Sequence, residues 1–253
     1  MHRWHYPVLV LTLVILAAMG CGKKEDELSG LEKNSKAVSS PNTGSILGKV
    51  LLKGTPPAPG RLSVVTDPYC GNVDSGSVKD ESVVVEAAGE LANVLVYVKQ
   101  GAGECPALAK PAILDQRKCV FIPHVLGVQV GQPLEIRNSD KTLHNIHLFS
   151  KNNAPFNVGQ ISGGKPYVTQ FEKPEVMMEL KCDCHSWMQC FVGALPNPFF
   201  CVTGKDGTYQ IKGLLPGNYT VAAWHEVYGE SPPKKVEVKQ GQAIPLDFTF
   251  NAQ

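Results

Sequence analysis

After residue 43 the chain has no window in which apolar residues keep a helical spacing for three turns without a Gly or Pro. What recurs instead are short runs: SILGKVLL, SVVVE, ANVLVYVK, VLGVQV, PLEIRN, HNIHLF, VMMELKC, CFVGAL, TYQI, NYTVAAW, KKVEVK and IPLDFTF. They are rich in Val, Ile, Tyr and Phe, which pack well on a pleated surface, and they are bounded by Gly, Pro, Asn or Asp, which interrupt one. The pattern predicts at least ten strands and little helix, an all-β body made of sandwiches or barrels. A length of 253 residues allows one large domain or two small ones. With 24 Lys+Arg against 23 Asp+Glu, the chain lacks the basic excess that nucleic-acid backbone binding needs, so no nucleic acid is expected as partner.

Residues 1–20 carry Arg3 and an apolar run from Val8 to Met19. That run, about 12 residues, is too short for a bilayer core of roughly 30 Å and reads as a signal-peptide core. Cys21 follows small Gly20, and the junction resembles a bacterial lipoprotein lipobox, although Ala18 stands where Leu is commoner. The resemblance implies lipidation at Cys21 and a membrane contact through that lipid; the alternative is an ordinary secreted chain cut nearby. Residues 21–43 are polar, without apolar period, and read as a tether with a reach of roughly 25 Å. The expected location is the bacterial cell envelope, facing the periplasm or exterior, where disulfides are permitted.

The tail from Cys201 has a turn marked by Thr203, Asp206 and Gly207, a strand, and a corner at Leu215, Pro216 and Gly217 feeding NYTVAAW. It resembles the second half of a carboxypeptidase regulatory-like, transthyretin-type β-sandwich. The matching first half lies far upstream, in SILGKVLLKGTPP and LANVLVYVKQ. The expected organisation is therefore 44–100 and 199–253 as one sandwich, interrupted by an inserted domain over 101–198. Two domains in series are the alternative.

The inserted segment carries the chemistry. Cys182, His185 and Met188 follow one another with two residues between each. A thiolate, an imidazole and a thioether on one tight loop supply three of the four donors of a blue copper site, where sulfur suits Cu(I) and imidazole accepts Cu(II). His144, after the strand PLEIRN and the polar turn SDKT, is the natural fourth. The order of Asn138, His144, Asn145 and His147, followed by Cys-x-x-His-x-x-Met, resembles the cupredoxin family, most closely the amicyanin spacing, over Phe121 to Ala194. The resemblance implies a cupredoxin-like Greek-key sandwich inserted in, or packed against, the regulatory-like one. It implies one mononuclear type 1 copper bound by His144, Cys182, His185 and Met188, with Asn145 tying the two ligand loops together.

Structural zinc lacks a second cysteine pair at ligand spacing. Covalent haem needs Cys-x-x-Cys-His where this chain has Cys182, Cys184 and His185 in Cys-x-Cys-His, and a binuclear copper centre has three residues between its cysteines. His147 reads as exposed or hydrogen-bonded, His124 as structural, and His225 as a residue that could face the insert. Cys70, Cys105, Cys119, Cys184, Cys190 and Cys201 remain for disulfides, with 15 possible connectivities. Position hints at Cys70 with Cys119, Cys190 with Cys201, and Cys105 with Cys184. Cys184 stands where the amicyanin-like loop has Pro.

A saturated Cys/His/His/Met set offers no place for substrate, and no hydrolase or nucleotide-binding motif competes, so the expected role is non-enzymatic one-electron transfer to a transient redox protein partner. In cupredoxins the position of His185 lies near the surface; it would be the electron port, with Trp187 and Phe191 as an apolar docking patch, a core place being the alternative for Trp187. The alternative is a surface lipoprotein that binds carbohydrate or protein and carries a structural, storage or delivery metal site.

Overall fold

The protein, seen as a computed structural model, is described over residues 42–252 except 59, 61, 63, 65, 66, 74–77 and 104. The signal-type segment, the lipidation candidate Cys21 and the tether to residue 41 lie outside the described residues.

All regular structure among the described residues is strand. In chain order the elements are β1 (Gly44–Lys53), β2 (Leu95–Gln100), β3 (Ala112–Arg117), β4 (Val120–Ile122), β5 (Val125–Gln129) and β6 (Leu134–Asn138). There follow β7 (His144–Phe149), β8 (Asn157–Gln160), β9 (Tyr167–Thr169), β10 (Glu175–Lys181), β11 (Gln189–Leu195) and β12 (Phe200–Val202). The last are β13 (Thr208–Leu214), β14 (Gly217–His225), β15 (Gly229–Glu230), β16 (Lys234–Val238), β17 (Ala243–Pro245) and β18 (Phe248–Asn251). The run SVVVE forms no strand of its own; it contributes a single bridge, Val85 to Leu91, beside a tight turn in which Gly89 N–H donates to Glu86.

Four sheets result. β1 pairs with β13, β17 and β18; β2 pairs with β12 and β14, which also carries β15 and β16. The strands between them pair among themselves, in the order β5-β11-β10-β7-β8 and β4-β3-β6-β9, with β5–β11 and β3–β6 parallel. Side-chain alternation then stacks the layers. Along β2, Val96 and Val98 join Ile46, Val50, Ile211, Val221 and Phe248 in one core, while Leu95 and Tyr97 point the other way. Along β11, Cys190, Val192 and Ala194 join Leu114, Phe121, Ile136, Ile146 and Leu180 in a second core, and Phe191 and Leu195 point back. Leu95, Tyr97, Ala222 and Trp224 thus meet Val125, Met177, Phe191 and Leu195 in a third apolar layer. Strands buried on both faces read as continuous apolar runs, which is why ANVLVYVK and CFVGAL show no polar face.

Two glycines let these sheets approach. Gly127 and Gly193 are cross-strand partners on β5 and β11. A Cβ on Gly127 would come within 2.5 Å of the Phe200 ring, and one on Gly193 within 2.8 Å of Leu95 and Met177.

His225 is fully buried at the end of β14, stacked on Tyr228, with Val227 N–H donating to its Nδ1. It is not among the side chains that converge on the metal-ligand cluster described below. Burial, with the nearby His124 charge second, pushes its pKa down to about 4 from 6.5. The neutral form is favoured on folding, so stability is complete above about pH 6.5 and falls as pH drops toward 4, by about 3 kcal/mol in all. His225→Phe should flatten that pH dependence in chemical denaturation between pH 7 and 5; an unchanged slope would contradict the assignment. Gly127→Ala should lower stability by about 1–3 kcal/mol through overpacking against Phe200, read from denaturation midpoints.

Candidate metal centre

Two loops at one end of the inner sheets bring three ligand-type atoms together. The loop 138–144 is shaped by Asn138, whose amide donates to the carbonyls of Thr142 and Gln160 and whose Oδ1 accepts from Asp140 N–H. It delivers His144 to the start of β7. The loop between β10 and β11 is closed by Cys182 N–H donating to Met188 O and Met188 N–H donating to His185 O. Asn145 joins the loops: its Oδ1 accepts from Asp183 and Cys184 N–H, its Nδ2 donates to Asp183, and its backbone N–H donates to the Cys182 sulfur at 3.4 Å.

His144, Cys182 and His185 offer ligand atoms that all lie within 4.8 Å of one another. The two imidazoles face each other through the same atom, with Nδ1 to Nδ1 at 2.9 Å, and the Cys182 Sγ lies 3.6 Å from His185 Nδ1. Behind them, both Nε2 atoms meet carboxylates, His144 with Asp140 at 2.9 Å and His185 with Asp67 at 3.4 Å. A carboxylate behind an imidazole holds the proton on Nε2 and frees Nδ1 as a lone pair. Two lone pairs 2.9 Å apart, one of them 3.6 Å from a thiol, repel each other unless a cation lies between them. At the bond lengths typical of a tetrahedral zinc site, two imidazole nitrogens stand roughly 3.3 Å apart and a thiolate stands roughly 3.6 Å from either. The donor set fits one soft or borderline metal ion. Met188 is buried on the same loop, in the core that surrounds the cluster.

Asp140 accepts from Lys118 N–H at 2.7 Å and Cys119 N–H at 2.8 Å. Both residues have φ of 58°, the left-handed turn between β3 and β4 that aims successive N–H groups at one point. Burial raises the Asp140 pKa, but the bonds from His144, Cys119 and Lys118 outweigh it and hold the carboxyl below its ordinary value. Burial also dominates at Cys182, raising its thiol despite the N–H groups aimed at it. The metal-free cysteine is therefore a thiol, and metal binding would displace its proton.

Three expectations from the sequence are corrected: the exposure of His185, the place of Phe191, and two of the three cysteine pairings. His185 is not at the surface: it is 3% exposed, with Asp67, Cys70 and the Trp187 ring against it. Phe191 packs on Trp224 and His124 in the third apolar layer, on the strand face turned away from the metal cluster, and does not form a docking patch. Trp187 is half-buried; its ring lies 5.0 Å from that of His185 and its Nε1–H donates to Cys119 O. Of the three cysteine pairings only Cys70–Cys119 is bonded, at an S–S distance of 2.03 Å. Cys190 is sealed in the second core and Cys201 lies on β12 in another sheet, while Cys105 sits near Ala102 and Cys184 is exposed on the ligand loop, so neither remaining pair forms. His147 is half-exposed and paired with Asp183, and His124 is buried against Glu226. The sequence reading missed Asp67, Asp140 and Tyr69; Asp140, four residues before His144, carried a usable signal, and the other two did not.

No family model and no curated protein matches the sequence. Among solved structures, a Cu-containing nitrite reductase from Thermus scotoductus SA-01 aligns at 20% identity with a TM-score of 0.33, over 39% of this chain and 25% of its own. A purple cupredoxin from Nitrosopumilus maritimus aligns at 21% identity and 0.29, over 33% of this chain and 98% of its own. An oxidised amicyanin variant aligns at 19% identity and 0.30, over 39% and 97%. The chain thus spans a quarter of the reductase and nearly all of the two small proteins, and each likeness takes in at most 39% of this chain.

In the native metal-free protein, Cys184 should be alkylated at least about tenfold faster than Cys182, whose thiol is both buried and raised in pKa. Peptide mass spectrometry over a time course would check this, and equal rates would contradict the burial of Cys182.

Proposed function

We propose that the chain is a copper protein of the cupredoxin type, inserted in a transthyretin-type sandwich and anchored to the cell envelope, that exchanges single electrons with a protein partner. The observation that carries this reading is the pair of imidazoles turned Nδ1 to Nδ1 beside the Cys182 sulfur, with a carboxylate behind each. His144, Cys182 and His185 would hold the metal, with Met188 as a weak fourth donor. The bound copper would supply a one-electron couple, poised between thiolate and imidazole donors.

The residues do the rest. Asn145 N–H stabilises the thiolate by hydrogen bonding and, through its side chain, keeps the two ligand loops in register. His144, Cys182, His185 and Met188 are all buried, so water and substrates are kept off the donors. A closed donor set favours electron exchange over catalysis at the metal, and with His185 covered, the loop meets solvent through Asp183, Cys184 and Ser186. The near-neutral charge leaves partner choice to local patches and not to long-range attraction.

A second reading, copper storage or delivery, draws on the exposed free thiol of Cys184 two residues from Cys182. Stoichiometry separates the two. The electron-transfer reading expects one copper per chain and, with Cu(II), an intense blue thiolate-to-copper band that Cys182→Ser abolishes. A colourless Cu(II) protein, or an unchanged spectrum in Cys182→Ser, would sink it; two or more Cu(I) per chain would favour storage.

A further inference from the structure

We propose that Asp67, carried by the segment between β1 and β2 and so far in sequence from both ligand loops, is a positioning residue for the metal centre. It keeps the proton of His185 on Nε2 and so leaves Nδ1 free to bind metal. The proposal rests on the copper reading for its consequence, but its structural half stands without it.

The surroundings of His185 Nε2 decide the tautomer. Among the described residues two groups face that atom: the Asp67 carboxylate at 3.4 Å and the Cys70 sulfur at 3.9 Å. Cys70 is bonded to Cys119, so its sulfur has no proton to give. Both neighbours are acceptors, the residue is sealed from water, and Nε2 is therefore the N–H. The lone pair then sits on Nδ1, beside His144 Nδ1 and the Cys182 sulfur.

Asp67 is itself fixed from both sides. Its Oδ1 accepts from Tyr69 N–H at 2.7 Å and Cys70 N–H at 2.8 Å, which closes its own turn. Its Oδ2, the oxygen that faces His185, also accepts from Thr142 Oγ1 at 3.1 Å, inside the His144 loop. The Cys70–Cys119 disulfide and the contact of Tyr69 OH with Asp140 hold the segment against the core. His144 already has its own carboxylate in Asp140, so Asp67 gives the second imidazole the same arrangement from a different part of the chain. Carboxylates in this place fix ring orientation and raise ligand basicity.

Asp67→Asn tests this with little change of shape. Its Oδ1 can still accept from Tyr69 and Cys70, and flipping the amide would set NH2 against those two N–H groups. The amide nitrogen therefore faces His185 Nε2, which must then accept, and the proton moves to Nδ1. In the metal-free protein, 15N NMR of the imidazoles should show His185 protonated on Nε2 in the wild type and on Nδ1 in Asp67→Asn. Cu(II) affinity should fall about 10- to 100-fold in the variant, and Asp67→Glu should recover part of it. A tenfold loss confined to Cu(II) would raise the potential by about 59 mV. Should Asp67→Asn fold poorly, Asp67→Ala should still give a mixture of His185 tautomers. A wild-type tautomer in a folded Asp67→Asn, or a fall in affinity without a change of tautomer, would overturn the proposal. If the wild type binds no copper, the copper reading fails while the metal-free spectra still decide the role of Asp67.

Discussion

A buried carboxylate with four donors is the point on which the rest of this site depends. Asp140 accepts from His144, from the backbone of Lys118 and Cys119, and from the Tyr69 hydroxyl. Such a group is tolerable inside a protein only when its hydrogen bonds are met, and losing one donor leaves the others facing a poorly solvated charge. The four donors come from three separate parts of the chain. The β3–β4 turn supplies two N–H groups, the ligand loop supplies the imidazole, and the segment over His185 supplies the phenol. The orientation of His144, the left-handed turn at Lys118 and Cys119, and the placement of the disulfide are thereby one structural commitment.

The layering of the sheets adds a second constraint. Val96 and Leu95, neighbours in sequence, belong to different cores, and so do Val192 and Phe191. Because β2 and β11 are buried on both faces, the sheet that carries Cys190, whose strand follows directly on Met188, is backed by the sheet that carries Trp224. The ligand loop is thus anchored to a rigid stack, not to a free edge, which suits a site whose donors must keep their spacing whether or not metal is bound.

Much of this was legible in the sequence, for identifiable reasons. The absence of helical period and the density of Val, Ile and turn residues announced an all-β chain, and the spacing of Cys182, His185 and Met188 put three side chains of ligand type on the loop between β10 and β11. Strands such as β3 and β8 escaped notice because Asp115, Gln116 and Asn157 give them no clean apolar alternation. Phe191 was misread because a strand buried on both faces offers no outward side to recognise. The burial of His185 could not be foreseen, since the residues against it, Asp67 and Cys70, read only as part of a polar turn, DPYC, more than one hundred positions upstream. Long-range pairs of single residues, such as Asp67 with His185, leave no periodic trace.

The central claim is that His144, Cys182 and His185 converge on one copper ion. X-ray absorption at the copper edge, on protein loaded with one equivalent of Cu(II), addresses it directly. The account predicts a single short sulfur neighbour and two imidazole nitrogens, with the sulfur shell lost in Cys182→Ser. A first shell of oxygens and nitrogens without sulfur, or one that keeps its sulfur when Cys182 is replaced, would contradict it.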